Sequence, residues 1–553
     1  MDPVIVVGAG PVGLALALAL ARHSVPTVVL DAGAGEVVRR SARTCVLSAP
    51  TVAWLPPLPG AGVRWRAWRT ERRQQCLERV ESGGPGHADP GDDVAPLHLE
   101  QHRLEIALRA TVAGERLVHL VPRSRLIRLE QDATGVSAQT GGPDGTWWRG
   151  SHLVGCDGAR SMVRKLLGVR FPGRTAVERH AVAALRTGLP RPDEAVLHRD
   201  PPGAGGEVTA RPLSGGVWRF DWLLPPRGPV VTPEDLLTRA QETLAAWAPG
   251  ERTGGREDAD SGPAYELLDT GVHTAHQRLA RHWRAERAFL AGDAAHLLGA
   301  LGVQAVEEGL RDAANLAWKL ALAWHDGPRG PGAAARERLL DSYEAERRSA
   351  VAARLRAVDQ ALPLVRRAGG GLRTLLPGAE RAALELLTDG HLGRGRLGGP
   401  PEYPGSPLAP PPAAVTPVPA RTRPGAPVTD VPVTALDGTR TRLRSRLGGR
   451  GGELLVLLVA PGTGVWDSRH WLQAGLMPEL AAAVEALPLR AELLVAEEYP
   501  GAAPHTVLLV RPDGHLVAAL HGARTDELVA CADALLGGGR DAADPAGTAA
   551  GQG

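Results

Sequence analysis

This sequence of 553 residues has few lysines and few cysteines, and its net charge is close to zero. Its cationic side chains are almost entirely arginine, since Lys165 and Lys319 are its lysines. With 63 basic and 61 acidic residues, the net charge of +2 leaves no excess of cations to attract nucleic acid or an acidic membrane surface. We therefore expect neither nucleic acid nor membrane as a partner.

The four cysteines exclude several kinds of site. Cys45, Cys76, Cys156 and Cys531 lie far apart and form no Cys-x-x-Cys pair, which argues against a disulfide framework, a zinc ribbon or a dithiol redox centre. No convincing ligand set for a metal is present, so no metal is expected. The apolar stretch 12–21 is too short to span a membrane. These features predict a cytoplasmic, soluble enzyme.

The N-terminal residues have the pattern of a nucleotide-binding βαβ unit. An apolar run at Val4–Val7 precedes three glycines, a helix-forming stretch follows, and a second apolar run at Thr27–Leu30 ends at Asp31. Glycines let the backbone approach a diphosphate at a helix N-terminus, and Asp31 can accept a hydrogen bond from a ribose hydroxyl. The predicted dinucleotide-binding residues are Gly8, Gly10, Gly13 and Asp31. This motif alone does not separate FAD from NAD.

Two later motifs favour FAD. Gly155-Cys-Asp157-Gly-Ala-Arg160 and Phe289-Leu-Ala-Gly292-Asp293 resemble the further fingerprints of the class A flavoprotein monooxygenases, the family of para-hydroxybenzoate and phenol hydroxylases. The segment around Arg43 and the one that begins at Gln101 resemble two other parts of that family. The resemblance covers about residues 3–365.

The strand and helix signals, read with this resemblance, imply an α/β fold. It has a Rossmann-like FAD-binding domain with an inserted mixed β-sheet substrate domain, plus a C-terminal thioredoxin-like domain. The predicted FAD-binding domain comprises residues 1–175 and 286–392, and the substrate domain 176–285. A Pro/Gly-rich linker at 393–427, semi-stiff rather than packed, precedes the thioredoxin-like domain at 428–537 and a disordered tail at 538–553.

The C-terminal domain resembles the one appended to phenol hydroxylases. No cysteine follows its apolar run at Leu454–Val459, where an active thioredoxin would carry its pair. Disulfide exchange is therefore excluded there. Packing, or formation of a homodimer, is the role that the resemblance leaves open for it.

The resemblance also implies a reaction and its cofactors. FAD is the expected cofactor and NAD(P)H a transient co-substrate that reduces it. Oxygen then forms a C4a-hydroperoxyflavin, which hydroxylates an aromatic or polyketide-type small molecule. The residues that the resemblance places at FAD are Gln101, Asp157, Arg160, Gly292, Asp293, Gly302 and Val306. Arg43 is expected either to act in catalysis as a cation near the flavin ring or to form a salt bridge within the cofactor domain.

Three aromatic residues and one histidine are candidates for substrate binding. Trp218, Phe220 and Trp222 alternate along a predicted strand, with Arg219 and Asp221 on its other face. One of these two sets could line a pocket for a flat substrate, and ordinary packing of the sheet face is the alternative. His296 faces either the active site or the protein core.

The segment after Asp293 departs from the family pattern. Gly299 and Ala300 replace a proline pair, Val303 and Ala305 replace two loop glycines, and Glu307 stands in place of an asparagine. A carboxylate at the flavin edge would disfavour the negative charge of a reduced flavin. The leading interpretation is a monooxygenase with an altered loop. The alternatives are a cyclase or isomerase that uses Glu307, Glu308 or His296 as acid–base groups, and a silent accessory protein.

Overall fold

The computed structural model describes residues 1–58, 60–73, 75–81, 95–142, 145–201, 206–225, 227–247, 264–302, 304–326, 332–366, 379–448, 454–463 and 475–538. Helices and several sheets alternate along these residues, which confirms the predicted α/β class. Val303 and the predicted tail from residue 539 onward lie outside the described residues. The predicted domain boundaries stay predictions.

The first sheet has six strands and carries the glycine motif. Its strands are parallel, apart from one antiparallel strand at one edge, and the central strand Val4–Val7 is fully buried. The glycine helix (Pro11–Arg22) follows the first strand and packs against the helices Gln101–Ala113 and Ala305–Asp326. Across this sheet the strands are Arg284–Ala285, Ala288–Leu290, His152–Gly155, Val4–Val7, Thr27–Leu30 and Val118–Val121.

Two three-stranded sheets and two short helices flank the first sheet. The short helices are Ala49–Trp54 and Met162–Leu166. One small sheet contains Trp147–Gly150, Val136–Gly141 and Arg125–Gln131. The other contains Thr44–Leu47, Leu97–Glu100 and Val63–Arg64.

The second large sheet has eight strands and is mostly antiparallel. The helix Pro233–Trp247 covers one face with its apolar side chains, and the other face borders a cavity described below. Across this sheet the strands are His296–Leu297, Tyr265–Leu279, Gly173–Thr187, Val217–Leu224, Glu207–Pro212, Glu194–Arg199, Ala67–Arg72 and Gln75–Glu81.

A series of helices follows the second large sheet in the chain. The longest of them is Ala305–Asp326. The later helices are Ala333–Tyr343, Ser349–Arg366, Ala379–Leu392 and Gly395–Gly398, with a π-helical turn at Glu344–Arg348. Short 3-10 turns lie at Ser214–Gly216, Gly292–Ala294, Ala300–Gly302, Pro412–Ala414 and Leu443–Arg446.

The segment 393–427 differs from the prediction of an unpacked linker. Tyr403 and Leu408 are 4% and 1% exposed, and Leu408 belongs to the core of the C-terminal sheet. The hydroxyl of Ser406 donates a hydrogen bond to the buried carboxylate of Glu346. This proline- and glycine-rich segment is therefore packed, because side chains within it contact both the preceding helices and the core of the C-terminal sheet.

The C-terminal residues form a third six-stranded sheet. Its central strand is parallel to one neighbour and antiparallel to the other. Trp318 and Leu339, which come from the helices of the preceding part, are buried in the same core. The strands in order are Arg440–Arg442, Pro432–Ala435, Ala491–Ala496, Leu454–Val459, Thr506–Val510 and Leu516–His521, and the helices are Met477–Glu485 and Thr525–Leu535. The thioredoxin-like assignment stays a prediction.

Within the described ranges, no helix combines the length and the hydrophobicity that crossing a bilayer needs.

Candidate active site

A first cavity of about 590 Å³ lies against the glycine motif, and we call it the cofactor cavity. The ends of the strands Val4–Val7 and Thr27–Leu30 open into it, as expected for the carboxyl edge of a parallel sheet. The residues predicted from sequence that line this cavity are Gly8, Gly10, Asp31, Arg43, Gln101, Asp157, Arg160, Asp293 and Val306.

The glycine loop explains how a ligand can approach the backbone here. Gly8 has φ +105°, and a Cβ built on it would lie 2.5 Å from the carbonyl oxygen of Cys156, so no other residue fits without strain. A Cβ on Gly10, in contrast, would meet no protein atom within 4 Å, since this residue faces the cavity. Gly10 is also the N-cap of the glycine helix and has no side chain to bond the free N–H groups of the first turn. The loop therefore leaves both space and donors for a diphosphate.

Carboxylates surround the cofactor cavity. The Oδ1 atom of Asp31 accepts a hydrogen bond of 3.3 Å from the amide of Ala9, and Arg109 lies 3.6 Å from Oδ2. Asp157 accepts two amide hydrogen bonds from the start of the helix Met162–Leu166, while its buried Oδ1 has no partner among the described residues. Burial raises the pKa of Asp293, and His296 and then Arg43 oppose this rise. The volume, the glycine loop and these acceptors fit FAD.

Gln101 and Arg43 are brought together by the backbone. The amide of Gln101, at the start of the helix Gln101–Ala113, donates a hydrogen bond of 2.8 Å to the carbonyl oxygen of Arg43. The side-chain amide of Gln101 donates to Glu105, 2.7 Å away. Arg43 itself has an exposed side chain that borders the cofactor cavity.

A second cavity of about 560 Å³ lies against the eight-stranded sheet, and we call it the substrate cavity. Its polar wall comes from the strands Gly173–Thr187, Glu207–Pro212, Val217–Leu224 and Tyr265–Leu279. Both cavities share the residues Arg43, Gln101, Asp293, Ala305 and Val306. The two spaces therefore meet at one junction, and Arg43 stands in it.

The strand Val217–Leu224 presents to the cavity the face opposite to that of its aromatic residues. Trp218, Phe220 and Trp222 are at most 3% exposed and pack beneath the helix Pro233–Trp247. The structure thus places these three rings in the core and not at a substrate. Arg219 and Asp221, on the other face, line the substrate cavity.

His296 and Glu308 lie outside both cavities. His296 is fully buried, stacks on Trp283, and has its Nε2 atom 2.7 Å from the carboxylate of Asp312. Glu308 forms ion pairs with Arg311, Arg347 and Arg354. Neither side chain is in position to touch a substrate.

Glu307 is directed away from the junction. Its carboxylate accepts hydrogen bonds from the hydroxyls of Ser48 and Thr51 at 2.6 and 2.7 Å, and it pairs with Arg311 at 2.9 Å. The expected conflict between this carboxylate and a reduced flavin does not arise, because its charge is compensated in the protein core. The neighbouring residues Ala305 and Val306 border the junction instead.

The loop before this helix is fixed from the sheet. The amide of Leu301 donates a hydrogen bond of 3.0 Å to Glu178, whose other oxygen accepts from Arg366 at 2.6 Å. Gly302 lines the substrate cavity, whereas Gly13 and Gly292 pack against neighbouring backbone and Val12, respectively. Within the part of the chain that is described, no cluster of residues has the composition of a metal site.

Sequence reasoning did not select several polar residues of the substrate cavity. Arg211, His180 and His273 line it and come from three different strands. The alternation of Arg219 and Asp221 with aromatic residues was the one available signal for this wall. The alternation does not say which of the two faces lines the cavity. The packing of the helix Pro233–Trp247 decides this, and that contact is long-range.

Comparison with known proteins identifies relatives of this chain. The sequence model of a family described as "FAD binding domain" matches residues 1–358. A dialkyldecalin synthase of Streptomyces rugosporus is 34% identical over 406 residues, which is 69% of this chain and 77% of the synthase. A 3-(3-hydroxy-phenyl)propionate/3-hydroxycinnamic acid hydroxylase of Comamonas testosteroni is 29% identical over 364 residues. That match covers 62% of this chain but spans little more than half, 55%, of the hydroxylase.

A solved structure shows the same fold over nearly the whole chain. It is a flavin-dependent monooxygenase in complex with FAD and substrate, with a TM-score of 0.71 and 22% identity. The similarity covers 97% of this chain and 99% of that one.

Proposed function

Because this chain belongs to the FAD binding domain family, we propose that it is an FAD-dependent monooxygenase acting on an aromatic or polyketide-type small molecule. The observation that carries the proposal is the junction of the two cavities at Arg43, Asp293 and Val306. When bound, FAD supplies transfer of one oxygen atom from O₂ to a carbon atom, with electrons from NAD(P)H. A molecule in the substrate cavity would meet the cofactor only at this junction.

Each part of the cofactor cavity suits one part of FAD. Gly8 and Gly10 would accept the diphosphate at the start of the glycine helix, and Asp31 would bind the adenosine ribose. Asp293, at the junction, would accept a hydrogen bond from the ribityl chain. Further contacts with FAD would come from three other residues that line the cofactor cavity, Gln101, Asp157 and Arg160.

Arg43 would serve as the catalytic cation. Its guanidinium stands in the junction, and the backbone hydrogen bond from Gln101 holds its loop against the cofactor cavity. A cation at this position would stabilise negative charge on a reduced cofactor. Hydroxylation is the reaction that we favour.

The absorption spectrum of the purified protein tests this function. We expect bound flavin that bleaches when NADH or NADPH is added without oxygen, and hydroxylated product when oxygen and a suitable phenol are supplied. A colourless protein that cannot be reconstituted with FAD would contradict the proposal. So would a flavoprotein that neither nicotinamide cofactor reduces, with or without candidate phenols.

Replacing Arg43 with methionine tests the proposed cation. The variant should keep FAD but have a flavin midpoint potential lower by about 30–60 mV, since a lost charge-assisted contact of about 1.5–3 kcal/mol would destabilise the reduced state. Arg40→Met is the matched control, because Arg40 lies on the same loop but pairs with Asp269. An unchanged potential in Arg43→Met, or an equal fall in both variants, would remove Arg43 from this role.

A second candidate function is a cyclisation that needs no redox step. The similarity to the dialkyldecalin synthase over 69% of the chain favours it. Glu307, Glu308 and His296 are held in buried pairs, so the cavity-lining histidines His180 and His273 would handle any proton transfer. Product formation that persists without NAD(P)H and oxygen would favour this function over the first.

A further inference from the structure

Two arginines share one carboxylate on the wall of the substrate cavity. Arg211 and Arg219 lie directly opposite each other on neighbouring antiparallel strands, a position in which like charges destabilise a sheet. Asp221 pairs with both, at 2.5 Å from Arg211 and 2.6 Å from Arg219. All three side chains are about nine-tenths buried. The group therefore carries one uncompensated positive charge.

The other charged groups of this cavity do not compensate it. Arg40 pairs with Asp269. Arg366 pairs with both Glu207 and Glu178, and Arg199 also pairs with Glu207, so these two arginines and two glutamates balance each other. Asp293 lies across the junction, where burial raises its pKa. No further carboxylate lines the cavity among the described residues.

Arg211 is the arginine with capacity left for a ligand. Its guanidinium donates one hydrogen bond, from Nη2 to Asp221, and its buried Nε has no partner within the described residues. Arg219, by comparison, forms a fork with both oxygens of Asp221. Burial lowers the pKa of Arg211, and the attraction of Asp221, which opposes this, is only partly offset by Arg219. An uncompensated buried charge is costly, so a site of this kind favours an anionic ligand.

A rigid chain of hydrogen bonds positions Arg219. Its Nη1 donates to the hydroxyl of Thr44 at 3.0 Å, and that hydroxyl lies 3.0 Å from Nε2 of His98. Nδ1 of His98 is 2.9 Å from the carbonyl oxygen of Pro212, so Nδ1 carries the proton and Nε2 accepts from Thr44. Burial and Arg211 hold the pKa of His98 well below its usual range, which keeps the ring neutral. Thr44 directly follows Arg43, so this pair of arginines lies close to the junction.

We propose that Arg211, with Arg219, binds an oxyanion of the substrate, either a carboxylate or the enolate of a dicarbonyl group. A guanidinium matches such planar, delocalised anions with paired N–H donors. The acidic end of the substrate would then lie on the sheet, and its remaining part would extend toward Arg43. This inference rests on the proposed function only in taking the second cavity as the substrate site.

The test compares two ligands of nearly the same shape, one with a negative charge and one neutral. The FAD-loaded protein is dialysed to equilibrium against anthraquinone-2-carboxylate and, separately, against anthraquinone-2-carboxamide. We expect the carboxylate to bind about tenfold more tightly, the effect of one charge-assisted hydrogen bond. In Arg211→Met this ratio should fall to about one through weaker binding of the carboxylate, while binding of the carboxamide stays unchanged. Asp221 keeps Arg219 as its partner in this variant, so the fold should survive.

Arg186→Met is the matched control. Arg186 lies on the same sheet, pairs with Glu266 and is 52% exposed, so its loss changes the net charge equally but leaves the cavity alone. If Arg211→Met fails to fold, the wild-type protein still decides, because added salt should weaken binding of the carboxylate and not of the carboxamide.

Several outcomes would overturn the inference. They are equal binding of the two ligands, no binding of the carboxylate, or a preference that survives in Arg211→Met. Competition by 2′,5′-ADP that disappears in Arg211→Met would instead assign the site to a phosphate of the nicotinamide cofactor. Dialysis requires no turnover, so failure here differs from failure of the proposed function, which flavin bleaching reports.

Discussion

Replacing Gly10 with alanine is expected to weaken FAD binding by about 10- to 100-fold, the range that an inserted methyl group costs in a packed contact. The protein itself should fold normally. Gly10 has φ −78°, which any residue adopts, and its Cβ would meet no protein atom within 4 Å. The new methyl group can therefore clash only with what occupies the cofactor cavity. Fluorescence titration of the flavin-free protein with FAD measures the change.

Gly332→Ala is the matched control for this variant. Gly332 is also a glycine N-cap, that of the helix Ala333–Tyr343, and a Cβ on it likewise meets nothing within 4 Å. Both variants lose the same small capping contribution, but only Gly10→Ala should lose FAD. Gly8→Ala is unsuitable, because its Cβ would clash with Cys156 and disturb the fold itself. Equal FAD affinity in Gly10→Ala and the wild type would show that the diphosphate does not lie against this loop.

The cofactor cavity could be predicted from sequence because its signals are local. A strand, three glycines, a helix and an acidic residue within about thirty positions specify one geometry by themselves. The strands Val4–Val7 and Thr27–Leu30 have the predicted bounds. The glycine helix begins at Pro11, since proline suits a first helical position.

The substrate cavity could not be predicted with the same certainty, because its signals depend on distant partners. Alternation along Val217–Leu224 predicts two faces, but the helix Pro233–Trp247 decides that Trp218, Phe220 and Trp222 are covered. The carboxylate of Glu307 accepts hydrogen bonds from Ser48 and Thr51, more than 250 residues earlier in the chain. No periodicity in the sequence around Glu307 reports such a contact.

The segment 393–427 is a second case in which long-range contacts escape prediction from the sequence. Its composition is typical of an extended spacer, yet Ser406 reaches the buried Glu346 and Leu408 enters a core. Glu346 lies in the π-helical turn Glu344–Arg348, a local feature that often marks a specific constraint. Here the constraint is a buried polar contact between the C-terminal sheet and the helices before it.

Replacing Glu346 with glutamine is expected to lower the free energy of unfolding by about 3–5 kcal/mol, the typical loss when one partner of a buried ion pair is removed. Both oxygens of Glu346 accept from Arg511, at 2.7 and 2.9 Å, and Lys319 donates to it at 2.7 Å. With Asp513, which pairs with Arg511 at 2.6 Å, the group has two positive and two negative charges. Glutamine would leave one buried positive charge uncompensated. Urea denaturation followed by far-UV circular dichroism measures the loss.

The pH dependence of stability tests the same prediction in a second way. Burial opposes ionisation of Glu346, but Arg511 and Lys319 hold its pKa below the ordinary value of 4.5. A lowered folded-state pKa stabilises the protein above pH 4.5 and loses that contribution as the pH falls below it. Glu346→Gln should therefore show a shallower loss of stability in acid than the wild type. Glu337→Gln is the control, since Glu337 is 60% exposed and should change stability by less than about 1 kcal/mol.

A double variant separates charge balance from lost packing. Glu346→Gln combined with Lys319→Met restores neutrality, because Arg511 and Asp513 then remain as a pair. Burial lowers the pKa of Lys319 to about 8, so its charge is costly even beside Glu346, and removing it should recover part of the lost stability. Recovery would assign the defect to the uncompensated charge. If the double variant is less stable than Glu346→Gln, the hydrogen bonds of Lys319 matter more than its charge, and a single variant within 1 kcal/mol of the wild type would contradict the prediction altogether.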